Sequence, residues 1–299
     1  MSPHAGEEAY ALDPRVVARG FGSASRSYDA AAGMQAAVRA ELLSRVGLLR
    51  TTPTAVLDLG CGTGAGAAEL KRRFRRAQVV AADIAPGMIA AARRRSRLWR
   101  RFDCALADAH ALPFEDRRFD LVFSNLMLQW ADPLDAALGE IRRVLRPGGL
   151  LLASSFGPET LQELRAAWAE ADDHVHVNRF IDVHDFGAAM QRAGFAEPVL
   201  DVDRHRAWHP DVPSLMRELK RIGAHNVNAG RSRGLTGRTR LARMVAAYER
   251  RRESRGLPAT WQVVYAVGWA PLVAERLDAP VGAETRISLA SLKAGLVRR

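Results

Sequence analysis

The sequence predicts an open, doubly wound α/β sheet of seven strands, with a helical insertion ahead of the last one. Three observations point there: short apolar runs that alternate with helical segments, a glycine turn closing the first run, and a proline-glycine turn leading into the fifth.

From Ala30 to Leu49, Met34, Val38, Leu42, Val46 and Leu49 fall at helical spacing, which predicts an amphipathic helix ended by Thr51 to Pro53. Thr54 to Leu59 is a short apolar strand, Gly60 to Gly64 a turn and Ala65 to Arg75 a helix, the opening of a βαβ unit. Strands follow at Gln78 to Ala82, near Phe102 to Leu106, at Phe119 to Ser124 and at Leu150 to Ser155, with helices from Pro86 and Pro133 between them. Arg146-Pro147-Gly148-Gly149 turns the chain into the fifth strand, giving five in a parallel pattern. Pro158 to Glu170 and Val183 to Ala193 read as helices and Pro198 to Arg204 as a sixth strand. Val212 to Ala224 and Thr236 to Arg251 are helices flanking a glycine- and arginine-rich loop, and Trp261 to Trp269 is the last strand. The chain divides into an amino-terminal helical cap (1–53), a core (54–204), a helical insertion (205–258), the last core strand (259–270) and a tail (271–299) whose lack of periodicity suits a disordered segment.

Among 299 residues, 48% are hydrophobic, enough for a continuous core, and 26% are charged, which argues against disorder in the bulk of the chain. Cys61 and Cys104 are too few for a disulfide framework and lack metal-ligand spacing, so a reducing compartment, the cytoplasm, is expected and no metal is. Glu7 and Glu8 interrupt the first residues, so a secretory signal is not expected there, and no apolar run is long enough to span a bilayer. The net charge of +11 favours an acidic partner, although an arginine-rich proteome would account for it equally well. Arg217 to Arg255 holds twelve basic and three acidic residues, so the charge is concentrated late in the chain.

Val56-Leu57-Asp58-Leu59-Gly60-Cys61-Gly62-Thr63-Gly64 sits at the carboxyl end of a strand, where Rossmann-like sheets bind ligands, and its glycines let the backbone approach one closely. Gly60, Gly62 and Ala65, with Asp83 downstream, also satisfy the permissive dinucleotide pattern, so a nicotinamide enzyme is a rival. Asp58 discriminates, because a carboxylate beneath the turn repels a diphosphate and favours the ammonium and sulfonium of S-adenosylmethionine. Further candidates follow at strand ends: Asp83 for ribose hydroxyls, with Ile84 and Met88 next along the chain, Asp108 and Ala109 for an adenine amino group, and Asn125 after the fourth strand. An acidic residue at a strand end is often only a helix cap, but four in register argue for a site.

The segment from Val56 to Ser155, with Phe119-Asp120-Leu121-Val122 and Arg146-Pro147-Gly148-Gly149, resembles class I S-adenosylmethionine-dependent methyltransferases. That resemblance implies the seven-stranded class I methyltransferase sheet and cofactor contacts from Gly60, Gly62, Asp83, Asp108, Ala109 and Asn125. A wider resemblance, from about Asp13 to Pro271, is to the malonyl-acyl carrier protein O-methyltransferases of biotin synthesis. It is carried by Phe21 to Gln35, Ser124-Asn125-Leu126-Met127-Leu128-Gln129-Trp130, Phe156-Gly157-Pro158-Glu159-Thr160-Leu161, His176-Val177-Asn178-Arg179-Phe180-Ile181-Asp182, Gly223-Ala224-His225-Asn226 and Arg233-Gly234-Leu235-Thr236-Gly237. It implies methyl esterification of the free carboxylate of malonyl-acyl carrier protein, or malonyl-CoA.

A carboxylate is ionised at neutral pH and needs no general base, and the sequence offers no base dyad. His174, His176 and Arg179 lie after strand five, where a lid would cross the pocket; they are candidates to face the acceptor, with a polar surface loop the alternative. Tyr28 either closes over the sulfonium in a cation-π contact or packs the first helix onto the sheet. Acyl carrier proteins are acidic, so Arg217, Arg231, Arg233 and Arg238 are candidate docking residues, with a solvated helical face as the alternative. The basic region alone would also allow RNA, but its helices lack aromatic interleaving, and neither nucleic acid nor membrane is the expected partner.

Overall fold

The computed structural model describes residues 12–49, 52–96, 101–223 and 237–272. In chain order the helices and strands are α1 (Pro14–Ala24), α2 (Tyr28–Ala31), α3 (Gly33–Ser44), β1 (Ala55–Leu59), α4 (Ala65–Arg73), β2 (Gln78–Asp83), α5 (Pro86–Arg95), β3 (Asp103–Leu106), β4 (Phe119–Asn125), α6 (Leu134–Val144), β5 (Leu145–Phe156), α7 (Gln162–Ala169), α8 (Val183–Arg192), β6 (Ala196–His209), α9 (Val212–Arg221), α10 (Arg238–Glu249) and β7 (Leu257–Trp269). The strands form one sheet in the order β3-β2-β1-β4-β5-β7-β6. The first five run parallel, and β7 is antiparallel to both β5 and β6.

Central strands covered on both faces must be apolar throughout, and β1 is buried along its length. Alternate residues feed opposite layers. Val56, Leu121 and Phe123 meet Val38 and Leu42 of α3 and Leu70 of α4, whereas Leu57 and Val122 meet Leu138 and Ile141 of α6 and Phe186 and Met190 of α8. Strand order reverses between β1 and β4, so the connections leaving them diverge and open a crevice beyond their carboxyl ends.

All seven expected strands are present, and apart from one added helix the differences lie at element ends. The helix expected over Ala30 to Leu49 is broken at Ala32 (φ −87°, ψ 40°) into α2 and α3, and its last turn, Arg45–Leu48, is a 3₁₀ helix. β5 begins at Leu145 rather than Leu150, because Leu145 pairs with Phe119 before the register shifts around Gly148 (φ +74°). α7 begins at Gln162 rather than Pro158, because Leu161 takes a left-handed conformation (φ +55°). Pairing of Ala207, Trp208 and His209 with Ala259, Pro258 and Leu257 extends both β6 and β7. The first residues of the expected insertion, 205–258, therefore belong to β6, and its last two to β7. Arg231, Arg233 and residues 273–299 of the expected tail lie outside the described residues.

The periodicity of the sequence assigns no helix to Pro14–Ala24, yet α1 is well formed, with Asp13 accepting a hydrogen bond from the Arg15 N–H (2.9 Å) and proline in its first turn. It wedges between α5 and the end of α9. A Cβ on Gly87 of α5 would lie 2.5 Å from the Gly22 carbonyl oxygen, and one on Gly223 would lie 3.2 Å from Phe21 and Ala24. The Ser27 hydroxyl donates to the Arg221 carbonyl (3.1 Å).

Because Gly87 is required for that close approach, Gly87→Ala should cost about 1–3 kcal/mol by overpacking and lift α1 off the domain. Limited proteolysis should then cut within residues 13–27 faster than in the wild type, while circular dichroism shows the sheet intact. Unchanged cleavage there would show that the contact does not hold the segment.

Candidate active site

β1 delivers the chain into a turn in which Gly60, Gly62 and Gly64 all take left-handed φ values, +73°, +54° and +81°. The N–H groups of Gly60 and Cys61 both donate to the Ala82 carbonyl (2.8 and 3.0 Å), tying the turn to the end of β2. A Cβ on Gly60 would fall 2.2 Å from Met127 Cγ, so only glycine fits the wall there. Gly64 does not line the cavity. A Cβ on it would meet Ala92 and Phe102 at 3.0–3.1 Å, and its role is to seat α4 against α5.

The main cavity lies over these strand ends and brings together Gly60, Gly62, Asp83, Ile84, Met88, Asp108, Ala109, Asn125 and Tyr28, as expected from the sequence. Asp83 Oδ2 accepts from the Gly62 N–H (2.9 Å) and Oδ1 from the Ala85 N–H (2.8 Å). Burial raises its pKa against those two N–H donors. Asp108 Oδ1 accepts from the His110 N–H (2.9 Å) and lies 2.8 Å from its Nδ1, while His110 Nε2 is buried without a partner. Asn125 is used internally. Its Nδ2 donates to the Gln35 carbonyl (3.1 Å) and its Oδ1 accepts from Ser154 Oγ (3.1 Å), so it shapes the wall and pins α3 to the sheet.

Asp58 lies behind the turn, in an adjoining compartment that it lines with Tyr28, Gln35, Arg39, Gly60 and Gly62. It is 2% exposed, and its Oδ2 has no hydrogen-bond partner. Burial pushes its carboxyl up to about 7, opposed by the Ala67 N–H and by Arg39. Gly66, in the first turn of α4, leaves room for it, since a Cβ there would sit 2.8 Å from Oδ2. A carboxylate thus occupies the helix N-terminus that would otherwise favour a phosphate.

The amino-terminal segment is clasped over the turn. Thr63 Oγ1 donates to Asp29 Oδ1 (2.6 Å), Arg95 Nε donates to the Thr63 carbonyl (2.9 Å), and the Arg95 guanidinium pairs with Asp29. Tyr28 thereby stands where the main cavity, the Asp58 compartment and a third cavity meet. Burial, reinforced by nearby Asp83, raises the pKa of its phenol and keeps it protonated. Phe21 abuts Trp130 edge-on (5.2 Å, 80°), and both, with Leu126, are shared by the main and third cavities.

The third cavity is walled by aromatic side chains including Phe156, Trp168 and Phe180, with Arg217 and Lys220 of α9 also lining it. His176 enters it, stacked on Trp168 (3.7 Å, 9°), its Nε2 2.7 Å from Asp172 Oδ1. His174 and Arg179 do not enter. Asp172 also accepts from the His174 N–H (2.9 Å), and His174 remains exposed; Phe180 packs on Phe156 while exposed Arg179 lines a separate groove with Asp182 and Asp185. Arg238, exposed at the start of α10, is also outside the cavity. Sequence reasoning missed Phe21, Gln35, Arg39, His110 and Trp130 as lining residues. The segment Phe21 to Gln35 carried a signal, but no regular periodicity marks which of its side chains turn inward.

No group of three or more His, Cys, Asp and Glu among the described residues could hold a metal ion, and no described helix is long and apolar enough to cross a membrane. Residues 57–153 match the model of a methyltransferase domain family. The chain is 47% identical over 270 residues to the malonyl-[acyl-carrier protein] O-methyltransferase of Methylovorus sp., covering 88% of this chain and 91% of that protein. The protein of the same name from Halorhodospira halophila is 47% identical over 264 residues, covering 88% and 90%. A putative methyltransferase from Bacillus halodurans has a similar structure, with a TM-score of 0.56 at 18% identity over 78% of this chain and 99% of that one, a likeness of fold.

The raised pKa of Asp58 carries a stability consequence. An acid that ionises near 4 unfolded but about 7 folded binds more protons in the native state between those values, so wild-type stability falls as pH rises from about 4 to about 7. Asp58→Asn should remove this contribution, on the order of a few kcal/mol. In thermal melts, the variant's Tm relative to wild type should climb from pH 5 to pH 8 and level off above it. A pH-independent difference would mean that the carboxyl titrates normally.

Proposed function

Since the chain belongs to the malonyl-[acyl-carrier protein] O-methyltransferase family, we propose that it esterifies the free carboxylate of a malonyl thioester, on acyl carrier protein or CoA, in biotin synthesis, with S-adenosylmethionine as methyl donor. The observation that carries the reading is the junction of two cavities at Phe21, Tyr28, Leu126 and Trp130, where a donor and an acceptor can meet end to end.

The residues present suit the donor. Asp83 keeps a lone pair on each carboxylate oxygen beyond those used by Gly62 and Ala85, matching two ribose hydroxyls. Asp108 is suited to the adenine amino group, Ile84 and Met88 to its apolar faces, and the unpartnered Asp58 Oδ2 to an ammonium. When bound, S-adenosylmethionine supplies an electrophilic methyl group on a sulfonium. The Tyr28 ring is suited to face that cation, and its protonated hydroxyl acts as a donor rather than a base. The acceptor is already ionised, so the protein's tasks are alignment and the exclusion of water by the apolar junction. His176 is the candidate polar group deeper in the acceptor cavity.

Arg217 and Lys220 would face an acidic carrier protein; Arg238 and, outside the described residues, Arg231 and Arg233 are further docking candidates by their charge in the sequence. The two free cysteines suit the cytoplasm.

The test offers labelled S-adenosylmethionine with malonyl carrier protein, malonyl-CoA or bulk RNA. Label is expected on the malonyl carriers, released as methanol by base, and none on RNA; an unlabelled malonyl carrier would refute the acceptor. Calorimetry should show Asp83→Ala binding S-adenosylhomocysteine at least about tenfold more weakly, from the loss of hydrogen bonds to a charged group. If docking is electrostatic, the KM for malonyl carrier protein should rise steeply with salt while that for malonyl-CoA changes less, and equal responses would argue against a basic docking surface.

A further inference from the structure

We infer that Gln35, together with the Tyr28 hydroxyl, is the group that grips the acceptor's carboxylate beside the transferring methyl. The inference rests on the methyl-transfer reading above and assigns the anion-binding position within it.

Gln35 is 7% exposed, yet its carboxamide makes no hydrogen bond to any described residue. Its amide atoms are not sealed off as Asp58 Oδ2 is; they face cavity space, where a ligand can accept from them. The side chain lines both the Asp58 compartment and the aromatic acceptor cavity, as Tyr28 does, so the two residues flank the place where those spaces meet. The Tyr28 hydroxyl likewise has no protein partner among the described residues, and burial keeps it protonated. Gln35 is not free to drift away. Its own carbonyl accepts from Asn125 Nδ2, and Asn125 is held by Ser154, which fixes this turn of α3 to the ends of β4 and β5.

The chemistry of the pair fits an anion that has to react. An amide N–H and a phenol O–H can each donate to one lone pair of a carboxylate, leaving another to attack, and neither can transfer its proton fully at neutral pH. Both donors are neutral, so they hold an anion without placing a fixed cation against an arriving sulfonium. The cations of this cavity, Arg217 and Lys220, belong to α9, and His176 stacks on Trp168 of α7. None of these three lines the Asp58 compartment, as Gln35 and Tyr28 do.

The experiment compares Gln35→Leu, Gln35→Glu and Gln35→Asn with wild type in methyl transfer to malonyl carrier protein, and measures S-adenosylhomocysteine affinity by calorimetry. Gln35→Leu should raise the KM for the acceptor by roughly ten- to hundredfold, the worth of a hydrogen bond to a charged group, while cofactor affinity stays within about twofold. Gln35→Glu should be worse than Gln35→Leu, because it sets a carboxylate against a carboxylate, and Gln35→Asn should recover part of the loss. Should Gln35→Leu prevent folding, Tyr28→Phe, which keeps the ring and removes the hydroxyl, should raise the same KM. An unchanged KM in Gln35→Leu, an equal loss of cofactor affinity, or a Gln35→Glu variant as good as Gln35→Leu would each overturn the assignment. A wild-type protein that methylates no malonyl carrier overturns the acceptor reading and this inference together, whereas turnover that ignores Gln35 removes the inference alone.

Discussion

One carboxylate organises the site. Asp83 stands at the end of β2 and accepts from the Gly62 N–H on one oxygen and the Ala85 N–H on the other. Those two N–H groups belong to different loops, the glycine turn after β1 and the entry to α5, so a single side chain fixes their separation. Gly60 and Cys61 reinforce it by donating to Ala82. Without this bracing, three residues with left-handed φ values in five would be an entropic liability, since glycine loses more conformational freedom on ordering than any other residue. With it, the turn becomes a rigid floor.

The amino-terminal segment then converts a floor into an enclosure. It touches the glycine turn through the Asp29–Thr63–Arg95 clasp, α5 through the Gly22–Gly87 approach, and the end of α9 through Ser27 and Gly223. Helix α9 also supplies Arg217 and Lys220 to the third cavity. A short stretch of chain therefore bridges both cavities, and its side chains Phe21 and Tyr28 form their shared wall. Surface ion pairs contribute little individually, about 0–1 kcal/mol, so the backbone contact at Gly87 matters more to the seating than the Arg95 pair.

The sheet was legible in the sequence because strands buried on both faces must be apolar runs, as β1 and β7 are, while the edge strand β6 alternates. The main-cavity residues were legible for a related reason: position in an α/β fold is tied to strand ends, so Asp83, Asp108 and Asn125 could be placed by counting. Asn125 shows the limit of counting, since its amide faces Gln35 and Ser154. The acceptor side was less legible. Its lining comes from irregular chain, where adjacent residues point to different surroundings without a period to reveal it; His176 enters the cavity while His174 and Arg179 do not. Gly64, a member of the glycine motif, packs against Ala92 and Phe102, partners that lie far along the chain.

In the proposed reading Asp83 and Asp58, the latter with Arg39 in its compartment, lie on the donor side, Tyr28 and Gln35 at the junction, and Arg217 and Lys220 on the acceptor side. Two opposite unit charges 4 Å apart attract by about 4 kcal/mol at an effective dielectric of about 20, and two like charges repel by as much. A cation at the junction would spend that energy expelling a sulfonium, and an anion there would expel a carboxylate. Neutral donors avoid both penalties. The same arithmetic disfavours a diphosphate over the glycine turn wherever Asp58, beneath the helix N-terminus, is ionised.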